Sequence, residues 1–119
     1  MTFSRGDAVL LDFPFSGGGG SKTRPALVIQ NDRDNRRLTN VIVAMITSRT
    51  DRASLVTTQL FLDIYTPEAR QCGLVSNSVV NCANLFTVDQ RRVLPTLGSL
   101  PPTLITGINA CLKAALEIP

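Results

Sequence analysis

Along this chain apolar residues either alternate with polar ones or run together for a few positions, in short stretches separated by turn-forming residues. That is the pattern of strands. It predicts strands over 7–13, 25–31, 40–47, 57–64, 77–83 and 91–97. The longest apolar run, Val41-Ile42-Val43-Ala44-Met45-Ile46, ends abruptly in Thr47-Ser48-Arg49-Thr50, as a buried strand emerging at a polar end would. Turns are expected at Arg5-Gly6-Asp7, at Pro14 with the glycine run behind it, from Asn31 to Asn35, from Thr50 to Ser54, from Pro67 to Gly73, and at Asp89-Gln90-Arg91-Arg92. The C-terminal segment has another period. Leu104, Ile108, Leu112 and Leu116 recur every fourth residue with Ile105, Cys111 and Ala115 beside them, and Pro101-Pro102 makes a good entry, so a helix is predicted near 102–116. Many short strands followed by one helix read as mainly β, a small twisted antiparallel sheet or barrel with the helix over one open face. At 119 residues the chain is expected to be a single domain, 1–119, able to bury a core without staples.

Composition changes this picture little. A hydrophobic fraction of 44% excludes a disordered chain, and no apolar run is long enough to span a membrane. Met1 to Asp7 is polar and the apolar stretch after it is broken by Asp12, so no secretory signal is read and a cytoplasmic location is expected. Cys72, Cys82 and Cys111, odd in number and widely spaced, suit reduced structural thiols better than bridges or a metal site.

Charge and its chemistry say more. The net charge is +3, made of 10 arginines against 2 lysines. Arginine grips phosphate through a planar fork, so the bias fits nucleic acid, although arginine as the default surface cation fits equally well. The chain has no histidine. That removes the commonest general acid/base and the commonest metal ligand together, and neither a metal nor a cofactor is expected.

The most informative step is Thr23-Arg24-Pro25, where the glycine-rich loop Gly17-Gly18-Gly19-Gly20-Ser21-Lys22 enters the run Ala26-Leu27-Val28-Ile29-Gln30. Proline fixes its own φ and pushes Arg24 toward an extended conformation, so a guanidinium is presented from stiff backbone. A surface cation, or a pair with Asp12 or Asp32, is the plainer reading. Gly20-Ser21-Lys22-Thr23 resembles a phosphate loop only superficially, since a strand follows where a helix N-terminus is required.

Taken together, Arg5-Gly6-Asp7, Asp12-Phe13, the glycine loop, Arg24-Pro25-Ala26-Leu27-Val28-Ile29-Gln30 and Ile46-Thr47-Ser48 resemble the MazF/PemK family of toxin endoribonucleases. The likeness continues in Gly73-Leu74, Asn77-Ser78-Val79-Val80, Asn84-Leu85-Phe86-Thr87-Val88-Asp89 and Leu97-Gly98. It implies an SH3-like barrel, a homodimer, metal-independent cleavage of single-stranded RNA, and neutralisation by an acidic antitoxin whose tail occludes the RNA groove. DNA is expected as a partner only indirectly, through the antitoxin, and no membrane is expected. On the MazF-type pattern Arg24 and Thr47 are the catalytic pair. Phe15, Lys22, Thr23, Ser48, Arg49, Arg52, Asn77 and Asn84 are candidate RNA contacts. The chain departs from the family in carrying Gly20-Ser21-Lys22 where many members have a Glu-Gln step. PemK-type members place an arginine and an aspartate where Asn81 and Ala83 stand, and Phe86 occupies a frequent arginine position. The PemK-type mechanism therefore lacks its residues, and the base stays open between solvent and a carboxylate such as Asp12 or Asp34. Two other readings stay open on sequence: a catalytically inactive or CcdB-like, gyrase-directed module, and a peptide-binding barrel. The absence of tryptophan and the single tyrosine count against an aromatic peptide groove.

Overall fold

Residues 3–14, 21–51 and 56–119 are described in this computed structural model. In chain order they form β1 (Asp7–Pro14), β2 (Ser21–Val28), α1 (Asp32–Arg37), β3 (Asn40–Thr47), β4 (Gln59–Leu62), α2 (Pro67–Arg70), β5 (Ser78–Asp89), a 3-10 turn (Gln90–Arg92), β6 (Val93–Ser99) and α3 (Pro102–Leu116). All six strands join one antiparallel sheet in the order β4-β5-β3-β2-β1-β6. Side chains alternate between its faces, and both faces are apolar. On one, Ala8, Leu27, Ala44, Ile46, Leu62 and Val80 pack against Ile108 and Cys111 of α3. On the other, Val9, Leu11, Ala26, Val28, Val41, Val43 and Met45 cluster with Phe3 and Val93. Among the described residues no helix packs over this second face, and the curl of the sheet itself buries it as the interior of a small barrel.

The expected helix is present over Pro102–Leu116, and all six expected strands are present with shifted boundaries. Asn31 to Asn35 is not a simple turn but the start of α1. Asn31 caps it by accepting the Asp34 N–H at 2.8 Å, Asp32 and Asp34 sit in the first turn, and Arg36 and Arg37 in the last. The Pro67–Gly73 turn likewise holds α2, capped by Thr66. The second strand begins at Ser21 instead of Pro25, because the hairpin with β1 pairs down to Pro14 opposite Ser21. It ends early because Gln30 leaves the sheet, its amide donating to Asn35 Oδ1 and the Asn40 carbonyl, both at 3.0 Å. The fifth strand runs on to Asp89, with three residues of β5 bulged out where its register against β3 jumps between Ala44 and Met45. The fourth shrinks to Gln59–Leu62, and the sixth starts only after the 3-10 turn.

Arg5-Gly6-Asp7 is the structural turn that was expected. Gly6, at φ 95, donates to the Val28 carbonyl at 2.8 Å and accepts from Leu100 at 2.9 Å, and Arg5 Nε reaches the Ile29 carbonyl at 2.9 Å. Cys72, Cys82 and Cys111 are all buried free thiols.

Candidate active site

The β2–β3 ladder stops at Ala26 opposite Met45. Pro25 is the next residue of β2, and a proline has no N–H to offer a neighbouring strand. Beyond it the strands part. If the register continued two residues further it would set Arg24 opposite Thr47, on the same face as Ala26 and Met45. The chain therefore places these two side chains across the mouth of the barrel, at the point where the proline ends pairing. Arg24 is exposed, and among the described residues its guanidinium has no hydrogen-bond or ion-pair partner. The expected pair with Asp12 or Asp32 is not formed, because Asp32 Oδ1 accepts from the Arg5 backbone at 2.6 Å and Asp12 pairs across from Thr23 without bonding Arg24, which leaves Arg24 as an exposed cation.

Where the strands part lies an open cavity of about 450 Å³, lined by Lys22, Thr23, Arg24 and Pro25 from β2, by Ile46, Thr47 and Ser48, and by Gly73 to Ser76, Ser78 and Leu97. Its far wall depends on a tight crossing of two backbones. Gly73 has φ 77, and a Cβ there would fall 2.3 Å from the Leu97 carbonyl oxygen, while a Cβ on Gly98 would fall 2.2 Å from the Gln71 carbonyl oxygen. The Ser99 N–H donates to that same Gln71 oxygen at 3.0 Å. Gly73-Leu74 and Leu97-Gly98, distant in sequence, thus meet to build one wall.

Thr47 also borders a second cavity of about 320 Å³, lined by Arg49, Asp51 and Gln59. Its Oγ1 accepts the Arg49 N–H at 3.2 Å, which turns the chain at the strand end.

Of the residues singled out in the sequence, Arg24, Thr47, Lys22, Thr23 and Ser48 converge on the first cavity, and Arg49 joins Thr47 at the second. Asn77 and Asn84 line neither. Asn77 Oδ1 accepts the Ile64 N–H at 3.0 Å, a tie between the end of β4 and the 73–77 loop, and Asn84 lies exposed in the bulged part of β5. Phe15, Arg52 and the glycine run lie outside the described residues. The carboxylates considered as a base are elsewhere. Asp12 lines a separate cavity with Thr87, Asp89 and Arg92, where the Arg91 guanidinium and N–H hold the Asp89 carboxyl down at about 2. Asp34 is on α1, lowered first by its hydrogen bond with Asn31 and further by Arg37. Sequence reasoning missed Ser76 and Ser78 as lining residues, although Ser78 stands in the Asn77-Ser78-Val79-Val80 block it had singled out and Ser76 immediately precedes it, and it missed Asp51 and Gln59.

This fold is that of toxin structures. An endoribonuclease from a mycobacterial species superposes with a TM-score of 0.77 at 21% identity, covering 100% of this chain and 95% of that one. The MazE–MazF crystal structure (Form-III) from Deinococcus radiodurans gives 0.75 at 22% identity over 100% of both chains. Sequence narrows the class to a family. Residues 4–116 match the family described as the PemK-like, MazF-like toxin of type II toxin–antitoxin systems, and the chain belongs to it. Among its relatives, endoribonuclease EndoA of Bacillus subtilis (strain 168) is 30% identical over 119 residues, covering 99% of this chain and 97% of its own. Endoribonuclease MazF6 of Mycobacterium tuberculosis (strain H37Rv) is 33% identical over 120 residues, covering 99% of this chain and 100% of its own.

Proposed function

We propose that this protein is a MazF-type endoribonuclease toxin, neutralised by a cognate antitoxin, in which Arg24 and Thr47 carry the cleavage of single-stranded RNA. The relatives named as endoribonucleases match it over nearly their full length, and a structural neighbour with a TM-score of 0.73 is described in complex with its cognate antitoxin. The observation that supports the site assignment is Arg24, without a partner among the described residues, facing Thr47 across the parted ends of β2 and β3.

In the proposed reaction the ribose 2′-oxygen attacks the adjacent phosphorus and the P–O5′ bond breaks. The 2′-hydroxyl proton passes through solvent, the departing 5′-oxygen takes one up, and the products are a 2′,3′-cyclic phosphate and a 5′-hydroxyl. The nucleophile belongs to the substrate, so the protein's task is to hold the phosphate in line and to stabilise the charge that builds on it. Arg24 donates paired N–H groups to the phosphorane oxygens; its guanidinium stays protonated and is not the base. The Thr47 hydroxyl fixes the scissile phosphate, with Ser48 beside it and Lys22 drawing in the flanking backbone.

The whole chain, 1–119, acts as one toxin domain in the cytoplasm and pairs as a homodimer. Val75, 93% exposed, and Leu97 leave apolar surface at the cavity for a second copy to cover. An acidic antitoxin tail would compete with RNA for Lys22, Arg24 and Arg49. The test is to incubate wild-type protein and Arg24→Ala with long RNA in excess chelator and map the new 5′ ends. Arg24→Ala is expected to lose about 10²-fold or more in rate while keeping the wild-type melting curve. Full activity in the variant would remove Arg24 from the mechanism.

A further inference from the structure

The cavity on the other side of Thr47 holds chemistry that phosphate cleavage does not use. Arg49 and Asp51 follow the end of β3, and Gln59 opens β4. Gln59 pairs with Asn81, which pairs with Met45, and Phe61 pairs with Val79, which pairs with Thr47. Cross-strand partners share a face, so Gln59, Asn81 and a 43% exposed Phe61 stand on the Thr47 side of the sheet. Among the described residues the side chains of Arg49, Asp51 and Gln59 make no hydrogen bond and no ion pair. Residues bearing a guanidinium, a carboxylate and a carboxamide therefore line one cavity of about 320 Å³ with no side-chain partner among the described residues.

We propose that this cavity is a base-recognition subsite for the nucleotide next to the scissile phosphate, and that Asp51 makes it selective for guanine. The inference rests on the ribonuclease reading of Arg24 and Thr47. An ionised carboxylate only accepts, and it accepts best from two adjacent N–H donors. On the Watson–Crick edge of the four bases only guanine offers such a pair, N1–H and the N2 amine. Its O6, next to them, takes a donor from Arg49 or Gln59. Uracil presents one N–H between two carbonyl oxygens, and adenine and cytosine present one amine beside a bare ring nitrogen, so each leaves a carboxylate oxygen facing an acceptor. Phe61 supplies an aromatic face at the edge of the same surface, and stacking of an unpaired base is how single-stranded RNA is commonly held.

The experiment is fluorescence anisotropy with labelled RNA tetranucleotides made uncleavable by a 2′-deoxy sugar at the scissile position, varied to G, A, C, U or inosine at each flanking position. Inosine keeps N1–H and O6 but lacks the N2 amine. Wild-type protein is expected to prefer guanine over uracil by about 10- to 100-fold at one flanking position, with inosine in between. Asp51→Asn is expected to erase the guanine–inosine difference and leave the preferences at other positions as they were. Gln59→Ala, on another wall of the cavity, is expected to reduce the guanine preference about 3- to 10-fold. A flat base profile in the wild type would overturn the subsite, as would an Asp51→Asn variant that weakens every tetranucleotide equally. Cleavable RNA is assayed in parallel. Guanine selectivity without cleavage would sink the ribonuclease reading and keep the subsite; cleavage with no selectivity would do the reverse.

Discussion

Replacing Gly98 by alanine adds one methyl group at the tightest backbone crossing among the described residues. Its Cβ would lie 2.2 Å from the Gln71 carbonyl oxygen and 2.7 and 2.9 Å from the Cys72 carbonyl carbon and oxygen. These are backbone atoms with no rotamer to change, and contacts below 3.0 Å are not made by real Cβ atoms, so the 71–73 segment must retreat until 2.2 Å becomes at least 3.0 Å. That retreat strains packing around Cys72, which is fully buried, at a cost of about 1–3 kcal/mol. It also stretches the 3.0 Å bond from the Ser99 N–H to Gln71, worth about 1 kcal/mol. The expected loss is about 2–4 kcal/mol, a large share of the ~5–15 kcal/mol that holds a domain together, or a fall in Tm of roughly 8–16 °C. Gly107→Ala is the control. Its Cβ would meet the Leu60 Cδ1 at 2.9 Å, but that is the end of a side chain that can turn, and alanine within α3 gains about 1 kcal/mol of helix propensity. It should stay within about 1 kcal/mol of wild type. Urea unfolding followed by far-UV circular dichroism reads both. Gly98→Ala as stable as wild type, or Gly107→Ala the worse of the two, would refute the crossing as the element that fixes this wall. Because Gly73, Leu74 and Leu97 line the cavity with Arg24, folded Gly98→Ala assayed well below its Tm should also cleave RNA more slowly.

Burial, and after it the neighbouring Cys111, push the Cys82 thiol up to about 12, so at pH 8 only about 1 in 10⁴ of it is thiolate. Native protein should be inert to a disulfide reagent until it unfolds, and a fast-titrating thiol would contradict the burial of all three cysteines. A folded pKa above the unfolded value of about 8.5 means that this contribution to stability is complete below that pH and is lost as pH rises from there toward about 12. Urea unfolding should therefore be easier at pH 10 than at pH 8, with a shallower slope in Cys82→Ala. No group of three or more potential metal ligands occurs among the described residues and the chain has no histidine, so cleavage should persist in EDTA; activity restored only by added magnesium would contradict this. Binding of an uncleavable RNA should weaken with salt, with a log–log slope near −2 if Lys22, Arg24 and Arg49 each neutralise a phosphate, at about −0.7 per contact. A salt-independent affinity would place the RNA elsewhere.

The parts of this molecule legible in sequence were those in which side chains announce their environment. Apolar runs marked β1 and β3, and the fourfold spacing of Leu104, Ile108, Leu112 and Leu116 marked α3 to the residue. Backbone pairing leaves no such signature. Ser21, Lys22 and Thr23 are polar, and they are strand only because β1 pairs with them. In β5 the bulge at residues 82–84 broke the pattern and made one long strand read as a short one. Helix α1 is too short for periodicity to show, yet its Asn31 cap with acids first and arginines last is a helix signature that the turn-like composition masked. The catalytic candidates were legible as a pair only through resemblance. Their juxtaposition comes from Pro25 ending the β2–β3 ladder, and the second cavity beside Thr47 is assembled across three strands that no local pattern connects.

Having apolar residues on both faces changes what specifies strand alignment. In a sheet with one wet face, sliding a strand by one residue exposes its hydrophobic set and is strongly disfavoured. From Val43 to Ile46 every residue of β3 is buried, so a one-residue slip exchanges one core for the other and hydrophobicity barely objects. Alignment must then be set by groups that cannot be exchanged. The Gln30 and Gln90 amides both reach the Asn40 carbonyl at the head of β3, with Asn35 bridging Gln30 beside them, and at the other end of the β2–β3 ladder Pro25 halts the zipper. Loss of the carboxamides, as in Asn35→Leu, would act less on how tightly the native state is held than on which of two nearly equivalent pairings the chain adopts as it folds, and the mispaired form would present Arg24 and Thr47 to opposite sides of the sheet.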